Sequence, residues 1–98
     1  MQISIERRVE IALRSLESAE RKKVEMALAD LLRIDTRAPH ANVNITRLVR
    51  ESSGKNLFLY KVGREIRLVI SFEDDKCIVE DVFYRNRLAG FVGKGMQQ

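Results

Sequence analysis

Apolar residues recur along the first third of the chain with helical spacing. Val9, Ala12, Leu13 and Leu16 are three and four positions apart. Val24, Ala27, Leu28, Leu31 and Leu32 repeat the pattern, so each segment carries one apolar stripe. The pattern predicts two consecutive helices, with Ser18 as N-cap of the second and Glu20 in its first turn. Glu17/Arg21 and Arg21/Glu25 are spaced to pair along the exposed side of that helix. Before them, Gln2-Ile3-Ser4-Ile5 alternates polar and apolar, as a short strand does. A helical hairpin with two apolar stripes cannot bury them alone and needs a sheet to lie on.

Helical periodicity fades after Asp35, and Ala38 to Ala41, around the single proline Pro39, reads as a surface connection. Residues 44–49 fit either irregular chain or a short edge strand, and Ser52-Ser53-Gly54 marks a turn. The rest is β in character. Leu57 to Val62 is nearly continuously apolar and ends at Gly63-Arg64-Glu65, a hairpin connection. Ile66, Leu68, Ile70 and Phe72 then alternate with Arg67, Val69 and Ser71, so Arg67 points away from an apolar face. Glu73-Asp74-Asp75-Lys76 forms a polar turn and Cys77 to Tyr84 a last strand. The expected order is β-α-α-β-β-β: an α+β fold with a helical hairpin packed on an antiparallel sheet, in one domain spanning 1–98.

Composition narrows the function. With 98 residues, 45% hydrophobic and 33% charged, the chain suits one folded domain with a modest core. No apolar run approaches the roughly 20 residues that span a bilayer, and the first residues lack an apolar signal core. A cytoplasmic protein without a membrane partner is expected. One cysteine, Cys77, and one histidine, His40, provide neither an internal disulfide nor a zinc site, and no cofactor is implied. Cys77 reads as a packed strand residue, His40 as a loop histidine and Tyr60 as core. The net charge is +4, and its placement matters more than its size. Residues 47–67 carry six cations (Arg47, Arg50, Lys55, Lys61, Arg64, Arg67) against Glu51 and Glu65, and Arg85, Arg87 and Lys94 follow. The positive field therefore lies in the β half, which suits a polyanionic partner.

The run from Arg47 to Phe91 resembles the RelE/ParE toxin family. Arg47-Leu48, the stretch Leu59-Tyr60-Lys61-Val62-Gly63-Arg64-Glu65-Ile66-Arg67, and Ile78 to Tyr84 leading into Arg85-Asn86-Arg87 follow the family's order of motifs. The resemblance implies the toxin of a bacterial type II toxin–antitoxin system, held inactive by a cognate antitoxin. Many such toxins bind the ribosome and cut mRNA as endoribonucleases (mRNA interferases); others poison DNA gyrase, and a third possibility is an inactive antitoxin-binding module. For the nuclease, Arg67 and Arg85 are the expected catalytic residues, stabilising phosphate with a planar, permanently charged fork. Lys55, Lys61, Arg64, Tyr84 and Arg87 are the expected substrate contacts, with Tyr84 also fitting a packing role. Phe91 stands where several mRNA-cleaving members have a tyrosine, and it cannot transfer a proton. Glu80 or Asp81 is expected to pair with Arg67 or Arg85 in the free protein.

Overall fold

The computed structural model describes residues 2–48 and 56–85, apart from the side chain of His40. The elements are β1 (Gln2–Ile5), α1 (Arg7–Arg14), α2 (Ser18–Leu31), a 3-10 turn (Pro39–Ala41), β2 (Ile45–Arg47), β3 (Phe58–Val62), β4 (Ile66–Glu73) and β5 (Lys76–Tyr84). The five strands form one sheet in the order β1-β5-β4-β3-β2. The expected meander β3-β4-β5 is antiparallel, and two features extend it. Residues 45–47 are a true edge strand, antiparallel to β3, while β1 joins the far edge parallel to β5. The helical hairpin carries the chain from β1 at one edge of the sheet towards β2 at the other, and the chain returns through β3 and β4 to β5 beside β1.

The core lies between the helices and one face of the sheet. Val9, Leu16, Val24, Ala27 and Leu31 meet Phe58, Tyr60, Val62, Ile66, Leu68, Ile70, Cys77 and Val79, all buried. In β4, Ile66, Leu68 and Ile70 are buried as the alternation predicts, but Val69 and Ser71 on the other face are buried too. Phe72 is partly buried and packs edge-on against Phe58 with ring centroids 5.6 Å apart. Cys77 is fully buried, which pushes its thiol up to about 11. Burial, with the charge of Asp30 as a lesser cause, also raises the Tyr60 hydroxyl.

The helix ends differ from expectation. Glu17, not Ser18, occupies the N-cap position of α2, and it makes no side-chain cap bond. Arg21 does not serve the two glutamates: its Nη2 donates to the carbonyls of Arg14 (2.7 Å) and Leu16 (3.2 Å), tying off the end of α1. Leu32 lies past the last turn of α2 and is 49% exposed. Pro39 is buried, so the connection between the helices and β2 is not purely a surface loop.

One irregularity decides which residues share a face. In β5, Val79 pairs with Ile70 and Asp81 pairs with Val69, leaving Glu80 as an extra residue between them. This bulge reverses the inside–outside phase of the strand. Before it, Cys77 and Val79 face the helices; after it, Val82 and Tyr84 do, opposite Leu68 and Ile66.

Candidate nucleic-acid interface

The sheet face away from the helices carries the residues between the core positions. In β3 and β4 these are Leu59 and Lys61, then Arg67, Val69 and Ser71; in β5 they are Ile78, Asp81 and, after the bulge, Phe83. Lys61 and Arg67 are direct cross-strand partners, and Arg67 is in turn the partner of Phe83. Two like charges side by side cost a few tenths of a kcal/mol up to about 1 kcal/mol in the free protein. An anion between them removes that cost.

Local geometry holds Arg67. Its Nη1 donates to the carbonyls of Ile66 (2.9 Å) and Gly63 (3.3 Å), anchoring the guanidinium against the β3–β4 turn. Nε and Nη2 make no hydrogen bond among the described residues and remain as donors for a phosphate. The turn itself depends on Gly63, whose φ of 62° lies in the left-handed region. Arg64 is exposed within this turn. Arg85, also exposed, follows β5 at the same end, and its backbone N–H donates to the Glu65 carbonyl at 2.6 Å. Lys61, Arg64, Arg67 and Arg85 are thus gathered at one end of the sheet, although two of them come from a strand or turn ahead of β4 and one from beyond β5.

Other expected site residues fall elsewhere. Tyr84 turns to the helix side, packs against the core, and its hydroxyl donates to Glu20 Oε1 at 3.0 Å. It therefore does not share a face with Arg67. Lys55, Arg87 and Phe91 lie outside the described residues. The expected pairing of Glu80 or Asp81 with Arg67 or Arg85 is not what the bulge produces. Glu80 Oε2 accepts the hydroxyl hydrogen bond of the buried Ser71 at 2.6 Å, while Asp81 pairs with Arg8 at 3.4 Å. Arg8 also donates to the Glu80 carbonyl, so α1 clamps the bulge. Ser71 and Arg8 thus engage these two acids. The bulge, which puts Phe83 on this face, is what sequence reasoning missed. Its signal was present in the apolar phase, which runs 77, 79 and then 82, 84 across the polar pair Glu80-Asp81.

Two clefts, of about 400 and 500 Å3, are lined by Asp30, Arg33, Tyr60 and their neighbours, and by Leu16, Ile66, Tyr84 and theirs; neither lining includes Lys61, Arg64, Arg67 or Arg85. Among the described residues no group of three His, Cys, Asp or Glu side chains is placed to hold a metal ion, and no helix is long and apolar enough to cross a membrane.

Comparison with known proteins adds a structural likeness. No protein-family model matches the chain, and no curated protein matches it. Among solved structures, a chain of the archaeal RelE–RelB complex from Pyrococcus horikoshii OT3 superposes with a TM-score of 0.66, at 20% identity, covering 88% of this chain and 96% of that one. At that identity the likeness speaks for the backbone. Two helices on a five-stranded, mostly antiparallel sheet, matched over nearly the whole of both chains, make this a RelE-like fold.

Proposed function

We propose that the chain is the toxin of a bacterial type II toxin–antitoxin pair, that it acts in the cytoplasm, and that it inhibits translation by ribosome-dependent cleavage of mRNA. The observation that carries this reading is the adjacency of Lys61 and Arg67, with Arg64 and Arg85 at the same sheet end, on a RelE-like fold. In such a cleavage the 2′-hydroxyl oxygen bonds to the adjacent phosphorus as the bond to the 5′-oxygen breaks. The products are a 2′,3′-cyclic phosphate and a 5′-hydroxyl. Arg67 and Arg85 stabilise the charge that builds on the phosphate oxygens, with no metal required. Lys61 and Arg64 position the strand, as do Lys55 and Arg87. The proton lost by the 2′-hydroxyl and the one gained by the 5′-oxygen pass through solvent or a ribosomal group. The cognate antitoxin would neutralise the basic end with acidic side chains.

A second reading is a gyrase-directed inhibitor without nuclease chemistry. The engagement of the Tyr84 hydroxyl by Glu20, on the far side of the sheet from Arg67, favours it. Two parallel assays separate the readings. Purified protein added to a translating extract is expected to stop protein synthesis while leaving DNA supercoiling by gyrase unchanged. Unimpaired synthesis with blocked supercoiling would reverse the assignment.

A further inference from the structure

We propose that the cleft between the end of α2 and β3 binds a free α-amino acid, with Tyr60, Asp30 and Arg33 recognising its two charged groups. The inference is independent of the RNA reading above. The cleft lies on the helix side of the sheet, and Tyr60 and Lys61, neighbours on β3, face opposite ways.

Tyr60 singles the cleft out. Its ring belongs to the core and the residue is only 3% exposed, yet its hydroxyl makes no hydrogen bond among the described residues. Among those residues no fully buried side-chain oxygen lacks a partner. The hydroxyl is therefore the part of Tyr60 that reaches open space, and the cleft is the space it borders. A hydroxyl so placed is poorly solvated, and a bound polar group relieves that cost. Asp30 and Arg33 line the same cleft from one turn of chain, closed by the Arg33 N–H donating to the Asp30 carbonyl at 3.0 Å. Their side chains do not pair: the ion pairs among the described residues join Arg8 to Asp81, Arg14 to Glu10 and Arg37 to Asp35. Asp35 is thus taken by Arg37, and Asn42 Oδ1 by the Asn44 N–H.

One carboxylate, one guanidinium and one hydroxyl remain, beside the apolar Ile34 and Pro39. Asp30 and the C-terminal carbonyls of the 14-residue helix α2 favour an ammonium, and the Tyr60 oxygen accepts one of its N–H bonds. Arg33 takes a carboxylate through its planar fork. A simple amine leaves Arg33 unused, and a simple carboxylate faces Asp30. An α-amino acid carries both groups on one carbon, and its side chain finds the apolar wall. The cleft volume of about 400 Å3 falls within the roughly 300–1,000 Å3 of small-ligand cavities, at the end that suits so small a molecule.

The test is a series of NMR titrations of the isotope-labelled full chain with the common α-amino acids, one at a time. At least one with an apolar side chain is expected to give saturable shifts centred on residues 30–44 and Tyr60. Tyr60→Phe, which keeps the ring in the core, is expected to weaken that ligand about 10- to 100-fold, and Asp30→Asn to do the same. The matching amine and the matching carboxylic acid, each lacking one charged group, are expected not to saturate the site. No saturable shift from any amino acid overturns the proposal, as does equal affinity in wild type and Tyr60→Phe. An amine that binds as tightly as the amino acid overturns recognition of both charges. Shifts centred on Lys61 and Arg67 overturn the location. Should Tyr60→Phe fail to fold, unchanged affinity in Asp30→Asn, a substitution at an exposed position, overturns the proposal by itself.

Discussion

At the scale of single residues, the proposed chemistry depends most on Arg67. Its side chain lies on the face away from the core and contacts the turn through two carbonyls, so truncation changes little in the packing. Arg67→Ala is expected to shift stability by no more than about 0.5 kcal/mol. RNA cleavage should fall at least about 100-fold, as when one preorganised charge-stabilising donor is removed elsewhere. Arg67→Lys should recover only part of that, because a lysine is a point charge without the fork. Single-turnover cleavage beside a urea melt checks both halves. Cys77 gives a prediction of another kind. Its thiol is raised to about 11 from 9.0 by burial, so the folded state disfavours the thiolate. Below pH 9 the burial of the neutral thiol counts fully toward stability. As pH rises from there through about 11, the unfolded chain ionises first and that contribution is lost. A thiol reagent at pH 8 should therefore label Cys77 only in denaturant, and rapid labelling of the native protein would contradict the packing.

At the scale of elements, the meander was legible and its edges were not. The alternation of Ile66, Leu68, Ile70 and Phe72 with Arg67, Val69 and Ser71 announces a strand with one buried face, since period two has no other simple reading. β2 is three residues long, too short for periodicity to declare it, and the parallel pairing of β1 with β5 joins residues more than seventy positions apart. Nothing local encodes that pairing. The bulge is intermediate: its phase shift is written in the sequence, but a strand read as continuous hides it. The opposite faces that Tyr84 and Phe83 occupy follow from it. The clustering of the cations was legible as a charge excess over residues 47–67, whereas the arrival of Arg85 beside the β3–β4 turn needed the register. The turn itself invites a test. A Cβ at position 63 would meet nothing closer than Lys23 Cδ at 3.7 Å, an ordinary contact, so the cost of Gly63→Ala comes from the backbone. A loss of about 1–2 kcal/mol is expected in chemical denaturation. Because Arg64 and the carbonyl that anchors Arg67 belong to the same turn, weaker RNA binding should accompany it. An unchanged melt would mean that the left-handed turn is not the native one.

For the whole molecule, helices and sheet divide the labour. The helices and the inner sheet face supply the core, while the outer face at one end carries Lys61 and Arg67, to which the proposed chemistry is assigned. Leu68 sits at the centre of the first of these, fully buried on the middle strand of the sheet. Leu68→Ala should cost about 2–5 kcal/mol. Against a typical total of about 5–15 kcal/mol this would leave a marginal fold, visible as a large drop in the denaturation midpoint. Catalysis would then be lost through unfolding, unlike the loss in Arg67→Ala, which leaves the fold intact. The division also explains why a likeness of only 20% identity coexists with a backbone match over 88% of the chain. Many apolar residues of suitable size satisfy the same core, so one backbone accommodates very different sequences. The measurement that bears most directly on the central claim is primer extension on mRNA recovered from a bacterial translation extract treated with the purified protein. New 5′ ends within translated codons, absent without ribosomes and absent with Arg67→Ala, are the predicted result. Intact message at an excess of folded wild-type protein would contradict it.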